Sequence, residues 1–185
     1  YDPHLRDEYT KVGVDDVFEK RGVIAATLTN DAIADTTPLR KLIARNMSRE
    51  LLRQIAKEYQ KGRLLLVLTT NLDQGRASIW NIGAIAESRH PRARELIIDI
   101  LLASAAIPGV FPPVMLDVTV GGTRYQEMHV DGGMVAQAFL YPPSFVPRRV
   151  SRNRSGSKQK SRTAYIIRNG RARRPETQVK RQTLA

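Results

Sequence analysis

The spacing of apolar residues predicts two helices between residues 37 and 62. Thr37-Pro38 is typical of a helix start, with threonine as the N-cap and proline in the first turn, and this helix is predicted to run to about Asn46. Ser48 is a second N-cap candidate. The apolar residues after it recur at three- and four-residue spacing, which predicts an amphipathic helix that Gly62 ends.

Strands are predicted on both sides of a third helix. Leu64–Leu68 is a continuous apolar run whose length favours a strand buried on both faces, as in a parallel sheet, and Thr69–Asp73 is predicted to leave it as a loop. Ala77–Ile82 is a second strand candidate. The third helix is predicted to start at His90-Pro91 and to stop before Pro108-Gly109.

The last strong pattern is a hairpin. Val114–Val120 and Thr123–Val130 are extended runs joined at Gly121-Gly122, which is a plausible turn. Because strands and helices alternate in the rest of the chain, the sequence predicts an α/β fold. The hairpin adds an antiparallel pair, so the predicted sheet is mixed.

The two ends of the chain carry weaker patterns. Residues 1–22 are polar and predict a loop with a short helix around Val14–Lys20, and Val23–Leu28 predicts a strand. Residues 148–162 are rich in Arg, Lys and Ser and lack apolar periodicity, which predicts a flexible segment. Tyr165–Ile167 predicts a short late strand.

Composition excludes several classes of protein. The apolar fraction of 42% in 185 residues is sufficient for a globular core. The absence of cysteine excludes disulfides and thiolate chemistry, and three scattered histidines give little support to a transition-metal site. No apolar run approaches the roughly 18–20 residues that a membrane-spanning helix needs.

The net charge of +12 comes from one segment. Residues 148–181 hold 13 of the 30 basic residues and only one acid, Glu176, so the rest of the chain is neutral. Such a segment can attract anionic lipid headgroups or bind the phosphates of nucleic acid. The tract Arg148–Lys160 contains no aromatic residue to stack on bases, which disfavours single-stranded nucleic acid, and a solvated insertion remains the plainest interpretation.

The candidate for chemistry is Asp131-Gly132-Gly133, directly after the second strand of the hairpin. A carboxylate on such a turn can act as a general base that takes the proton of a serine hydroxyl without a histidine. The glycines allow a tight turn and a close approach to a neighbouring loop. For the tripeptide alone, an ordinary Asp-Gly turn is the more frequent interpretation.

Three other polar residues invite a functional interpretation. His129 points the same way as Asp131 on a strand, and we interpret it as a packing or hydrogen-bonding residue, with a proton relay as the alternative. Asn71 and Asp73 follow a buried strand, where α/β folds often bind ligands, but capping of the loop is the favoured interpretation.

Two separated segments together resemble the patatin-like phospholipase family. Ala103–Pro113 is similar to the family's small-residue helix end and its Pro-Gly-x-Phe-Pro-Pro loop, and Asp131 begins a motif similar to the family's Asp-Gly-Gly/Ala. Thr36–Leu39, Thr69–Asp73 and Ile79–Ala86 extend the resemblance. It covers roughly residues 12–145, with a weaker match over Thr163–Gly170, and is to bacterial members.

The resemblance implies the C-terminal half of a three-layer α/β/α domain that hydrolyses lipid acyl esters. It implies no metal and no organic cofactor. We expect the chain to divide into a catalytic domain over residues 1–147, a basic flexible segment over 148–162, and a short strand with a truncated tail of the same domain over 163–185. Asp131 would be the base of a serine–aspartate dyad, with Gly132 and Gly133 completing its motif. The family's glycine-rich oxyanion loop and its G-x-S-x-G elbow do not occur in the 185 residues. Ser78 and Ser104 lack the glycines of an elbow.

Two kinds of function therefore remain open from the sequence. In the first, a serine outside this chain, on the same polypeptide or on another, completes a hydrolase acting on a lipid or phospholipid at or near an anionic membrane. In the second, the chain is a catalytically inactive piece that binds acidic surfaces through residues 148–181, with lipid favoured over nucleic acid. The sequence indicates neither an oligomeric state nor a compartment.

Overall fold

The computed structural model describes residues 3–17, 19–20 and 34–136. The strand predicted at Val23–Leu28 and every prediction beyond residue 136 lie outside these ranges. The elements are, in chain order, α1 (Pro3–Lys11), α2 (Val14–Val17), β1 (Glu19–Lys20), β2 (Ala34–Asp35), α3 (Thr37–Asn46), α4 (Arg49–Gln60), β3 (Leu66–Asn71), β4 (Arg76–Asn81), α5 (Ile82–Glu87), α6 (Ala93–Ser104), β5 (Val114–Val120) and β6 (Thr123–Asp131), followed by a single 3₁₀ turn at Gly132–Met134.

Four strands form the main sheet, in the order β4-β3-β6-β5. The predicted hairpin is confirmed as β5 and β6, and the predicted apolar strand is β3, with a neighbour on each side. The α/β class is confirmed. All pairs of this sheet within the described residues are antiparallel, so the parallel pair that a mixed sheet requires would have to involve residues outside them.

One face of the sheet carries the core. Residues directly opposite each other in antiparallel strands share a face, which places Val67, Trp80 and Leu116 on the same side as His129. Helix α6 packs on β3, β5 and β6. The core between them is made of large side chains that are almost completely buried: Ile82, Ile97, Ile98, Ile100 and Leu116.

The helix starts follow the capping signals in the sequence, with one correction. Ser48 caps α4 as predicted, because its hydroxyl accepts a hydrogen bond from the Leu51 amide. Thr37 is not an N-cap but the first residue of α3. The carboxylate of Asp35 accepts hydrogen bonds from the Thr37 amide (2.8 Å) and hydroxyl (2.7 Å), and so holds the start of this helix instead.

The structure differs from the predicted elements at several places. The strand β3 continues through Thr69–Asn71, which we predicted as a loop; threonine is a good strand former and these residues are buried between two strands. Ile82, predicted as the end of a strand, begins helix α5, with Asn81 as its N-cap. Helix α1 lies in a region predicted mainly as loop.

The absence of a side chain at Gly83 permits the close packing of α4 against α5. A Cβ atom at this position would come within 2.7 Å of the Tyr59 ring, which is closer than a real side-chain contact allows. The absence of a side chain at Gly83 therefore lets the two helices pack against each other over the ring of Tyr59. This contact fixes the outer part of the helical layer.

We predict that Gly83→Ala destabilises the protein although alanine is the better helix former. The methyl group must displace the Tyr59 ring, and overpacking of this kind costs about 1–3 kcal/mol, against a gain of about 1 kcal/mol in helix propensity. Urea unfolding measures the difference. Gly13→Ala is the control, because a Cβ there meets its nearest atom at an ordinary 3.7 Å. Equal stability of the two variants would contradict the packing argument.

Candidate active site

Asp131 lies where three parts of the fold meet. It is the last residue of β6 and is paired with Thr69 of the central strand. Its amide donates a hydrogen bond to the carbonyl of Ala106 (2.9 Å), and its carbonyl accepts one from the hydroxyl of Thr70 (2.9 Å). The two segments that carry the family resemblance, far apart in sequence, are therefore joined directly through the backbone of Asp131.

The carboxylate of Asp131 is held on one side and free on the other. Its Oδ1 accepts a hydrogen bond from the Gly133 amide (2.8 Å), which fixes the side chain over the turn. Within the described residues no hydrogen-bond donor contacts Oδ2. The residue is half-buried, so one oxygen stays available for a hydroxyl group.

A side chain is disfavoured at Gly132 and at Gly133 for different steric reasons. Gly132 is buried, and a Cβ atom on it would come within 2.5 Å of the Leu68 carbonyl oxygen of β3. At Gly133 a Cβ atom would come within 3.2 Å of Oδ1 of Asp131. Gly132 thus lets the turn press against the central strand, and Gly133 leaves the carboxylate room in its present position.

His129 is the centre of a buried polar chain beside this turn. It is completely buried, and its Nδ1 lies 2.9 Å from the hydroxyl of Thr69. That hydroxyl already accepts a hydrogen bond from the indole N–H of Trp80 (2.7 Å). We infer that its own proton goes to Nδ1, which places the His129 proton on Nε2, facing Glu127 Oε2 at 3.3 Å.

This arrangement matches the interpretation of His129 as a packing and hydrogen-bonding residue. Within the described residues the ring makes no hydrogen bond to Asp131. The rings of His129 and Trp80 pack edge to face, with their centroids 5.5 Å apart. Trp80 and Thr69 were not predicted as partners of His129, because their contact depends on the pairing of β4, β3 and β6.

Asn71 caps the connection between β3 and β4, as predicted, whereas Asp73 ties this connection to β6. The side chain of Asn71 accepts a hydrogen bond from the Gln74 amide (3.0 Å), and Asp73 accepts one from the Met128 amide (2.6 Å). Both side chains are engaged with the backbone.

Neither serine considered above is positioned as a partner of Asp131. The hydroxyl of Ser104 donates to the Leu101 carbonyl of its own helix. Ser78 is paired with Thr69, which is paired with Asp131, so Ser78 lies two strands away at about 10 Å. That distance is too long for a proton transfer to the carboxylate.

The described ranges contain no group of three or more His, Cys, Asp or Glu residues that could hold a metal ion. In the same ranges, none of the helices has both the length and the apolar character needed to cross a membrane.

We predict that His129→Leu lowers the free energy of unfolding by about 1–3 kcal/mol, because it leaves the buried Thr69 hydroxyl without an acceptor. His129→Asn should cost less, since its side-chain oxygen can take the place of Nδ1. Urea unfolding measures both variants. Ring ¹⁵N chemical shifts of the unmodified protein should place the proton on Nε2, and a proton found on Nδ1 would contradict this hydrogen-bond chain.

Comparison with known proteins agrees with the motif-based resemblance. The sequence model of the family described as Patatin-like phospholipase matches residues 2–142. Searches of curated proteins and of solved structures each returned no match. The family match covers both segments that meet at Asp131 and more than half of the 185 residues. The chain therefore belongs to the patatin-like phospholipase family.

Proposed function

We propose that this chain supplies the general base of a serine-dependent lipid acyl hydrolase, and that Asp131 is that base. Membership in the family supports a lipid acyl hydrolase in general terms. The observation that carries the specific proposal is the carboxylate of Asp131, held through Oδ1 by the Gly133 amide while Oδ2 has no donor within the described residues. A base needs both a fixed orientation and a free lone pair.

The proposed reaction runs through an acyl-enzyme. Oδ2 of Asp131 takes the proton of a serine hydroxyl as the serine oxygen attacks the ester carbonyl. The carbon–oxygen bond to the alcohol breaks, and the leaving alcohol takes the proton from Asp131. A water molecule then attacks the acyl-serine, passing its proton to Asp131, and the proton returns to the serine oxygen as the fatty acid leaves.

The proposal requires a serine and an oxyanion site from outside the 185 residues. No G-x-S-x-G occurs in the sequence. Ser78 lies two strands away from Asp131, and the hydroxyl of Ser104 donates to a carbonyl of its own helix. The serine would come from the same polypeptide or from a second chain. The coding DNA upstream of Tyr1 separates these two sources, because an in-frame elbow between a strand and a helix indicates the first.

We predict that Asp131→Asn lowers kcat of the assembled enzyme by about 10²–10⁴-fold, the usual contribution of a general base. The variant keeps an oxygen that can accept from the Gly133 amide, so the turn should remain intact. Turnover of a p-nitrophenyl ester measures the effect in the chain expressed with its serine-bearing segment. A fluorophosphonate probe that reacts with nucleophilic serines reports whether the serine is present.

Asp117→Asn is the matched control, because Asp117 is an exposed aspartate on the edge strand β5. We expect that variant to keep its ester turnover within about twofold. An Asp131→Asn enzyme that stays as active as this control would show that Asp131 is not the base.

A second candidate function rests on the charge distribution. The 13 basic residues of 148–181, against one acid, would attract an anionic membrane surface. We predict binding to vesicles that contain anionic lipid and loss of that binding between about 0.1 M and about 0.5 M salt, because such attraction is screened. Replacing the basic residues of 148–160 by serine should remove the binding; binding that survives the replacement excludes this segment as the cause.

A further inference from the structure

A groove of about 790 Å³ lies between α4 and the turn that joins α5 to α6. Its volume falls within the roughly 300–1,000 Å³ of small-molecule sites in proteins. The groove is distant from Asp131. Helix α6 separates the two, since Ala93 at its start lines the groove while Ala106, beyond its end, contacts Asp131. At 1.5 Å per residue the 12 residues of α6 span about 18 Å.

The walls of the groove are held by packing and by hydrogen bonds. Helices α4 and α5 are in close contact at Tyr59 and Gly83. At the other end, the guanidinium of Arg94 donates hydrogen bonds to the carbonyls of Ala44 (2.6 Å) and Met47 (2.8 Å), which ties the start of α6 to the α3–α4 junction. The groove is therefore a feature of the folded helical layer.

The floor of the groove is apolar, and its rim carries more basic than acidic residues. Five cations line it, Arg49, Arg53, Lys57, Arg89 and Arg94, against the two carboxylates Glu87 and Glu95. Ala86 and Ala93 on the floor are buried, and Leu52 and Ala56 are half-buried. The rim on α4 carries exposed cations at every fourth residue, namely Arg49, Arg53 and Lys57. Like charges at this spacing repel each other and weaken a helix, so the row does not serve the stability of α4.

Arg89 adds a cation from the opposite wall in a costly backbone conformation. It directly follows the C-cap residue of α5, and its φ of 54° lies in the left-handed region that glycine usually occupies at this position. A side chain there costs roughly 1–2 kcal/mol relative to glycine. Strain of this kind tends to persist where the side chain has a function.

Several of these cations have no carboxylate partner. Arg53 pairs with Glu50, and Arg94 pairs with Glu95. Within the described ranges Arg49, Lys57 and Arg89 form no ion pair. The ion pair of Arg53 with Glu50 is exposed and therefore weak, so Arg53 can add its charge to the unpaired Arg49 and Arg89. Cations from two walls above an apolar floor match a ligand that has both an anionic head and an apolar chain.

We propose that this groove binds a single-chain anionic amphiphile, with its head among Arg49, Arg53 and Arg89 and its chain along the apolar floor. The choice of an acyl-chain ligand rests on the proposed function, because such a hydrolase releases a fatty acid and, from a diacyl phospholipid, leaves a lysophospholipid with its phosphate. Both products have this chemistry. Separated from Asp131 by the length of α6, the groove is a second site, where a product can be retained without occupying the catalytic position.

Direct titration of the 185-residue protein tests the proposal without any need for turnover. The probes are palmitate, hexadecyl phosphate, inorganic phosphate and hexadecyltrimethylammonium, each below its micelle concentration, with calorimetry as the readout. We expect one equivalent of each anionic amphiphile to bind. Tighter binding of palmitate identifies the fatty acid as the source, and tighter binding of hexadecyl phosphate identifies the lysophospholipid.

The double variant Arg49→Gln/Arg53→Gln should bind the anionic amphiphiles at least about tenfold more weakly, the usual effect of losing charge-assisted hydrogen bonds. Lys41→Gln/Arg76→Gln is the control with the same loss of charge, since both residues are exposed and neither lines the groove. Equal weakening in the two variants would assign the binding to overall charge and overturn the proposal. Inorganic phosphate or the cationic amphiphile binding as tightly as palmitate would overturn it as well.

Arg89→Gly separates ligand binding from folding. Glycine adopts the observed backbone conformation without strain, so the thermal midpoint should not fall. Binding of palmitate and hexadecyl phosphate should nevertheless weaken at least about tenfold. Unchanged binding in this folded variant would remove Arg89 from the site. Loss of ester turnover in Asp131→Asn leaves these titrations unaffected, so the two proposals fail separately.

Discussion

The arrangement of this domain depends on the close contact between the turn after β6 and the central strand β3. Gly132 lies against the Leu68 carbonyl at a distance that excludes a side chain. The amide of Asp131 simultaneously bonds to Ala106, at the end of the main core helix. Helix, central strand and turn are thereby fixed to one another within one residue of the carboxylate, and this rigidity is what a positioned base requires.

The same strand pair carries a polar chain through an otherwise apolar layer. Trp80, Thr69, His129 and Glu127 donate and accept in sequence, so each buried polar group has a partner. A chain of this type stabilises one register of β4, β3 and β6, because a shift by one residue would leave these groups unpaired. The register in turn decides that Asp131 lies at the end of the strand with one oxygen free.

The molecule has two chemically different ends. The end of the sheet at Asp131 combines small residues with a carboxylate, and the far end of α6 carries cations above an apolar floor. Family membership bears on the first end. The proposed ligand site at the second end rests on different observations. Arg49, Lys57 and Arg89 have no carboxylate partners in the described ranges, and Arg89 has a strained backbone.

The sequence by itself determined the elements whose signals are local: the amphipathic helix after Ser48, the hairpin around Gly121-Gly122, and the aspartate motif that follows it. The sequence pattern predicted a loop at Thr69–Asn71, because the strand that these residues form depends on neighbouring strands distant in sequence. It did not predict the helix that begins at Ile82, because this helix follows a strand without a break. Only the tertiary structure brought Ala106 to Asp131, buried His129 against Thr69 and Trp80, and gathered cations of α4 and Arg89 around one groove. These are contacts between residues far apart in the chain, and periodicity carries no information about them.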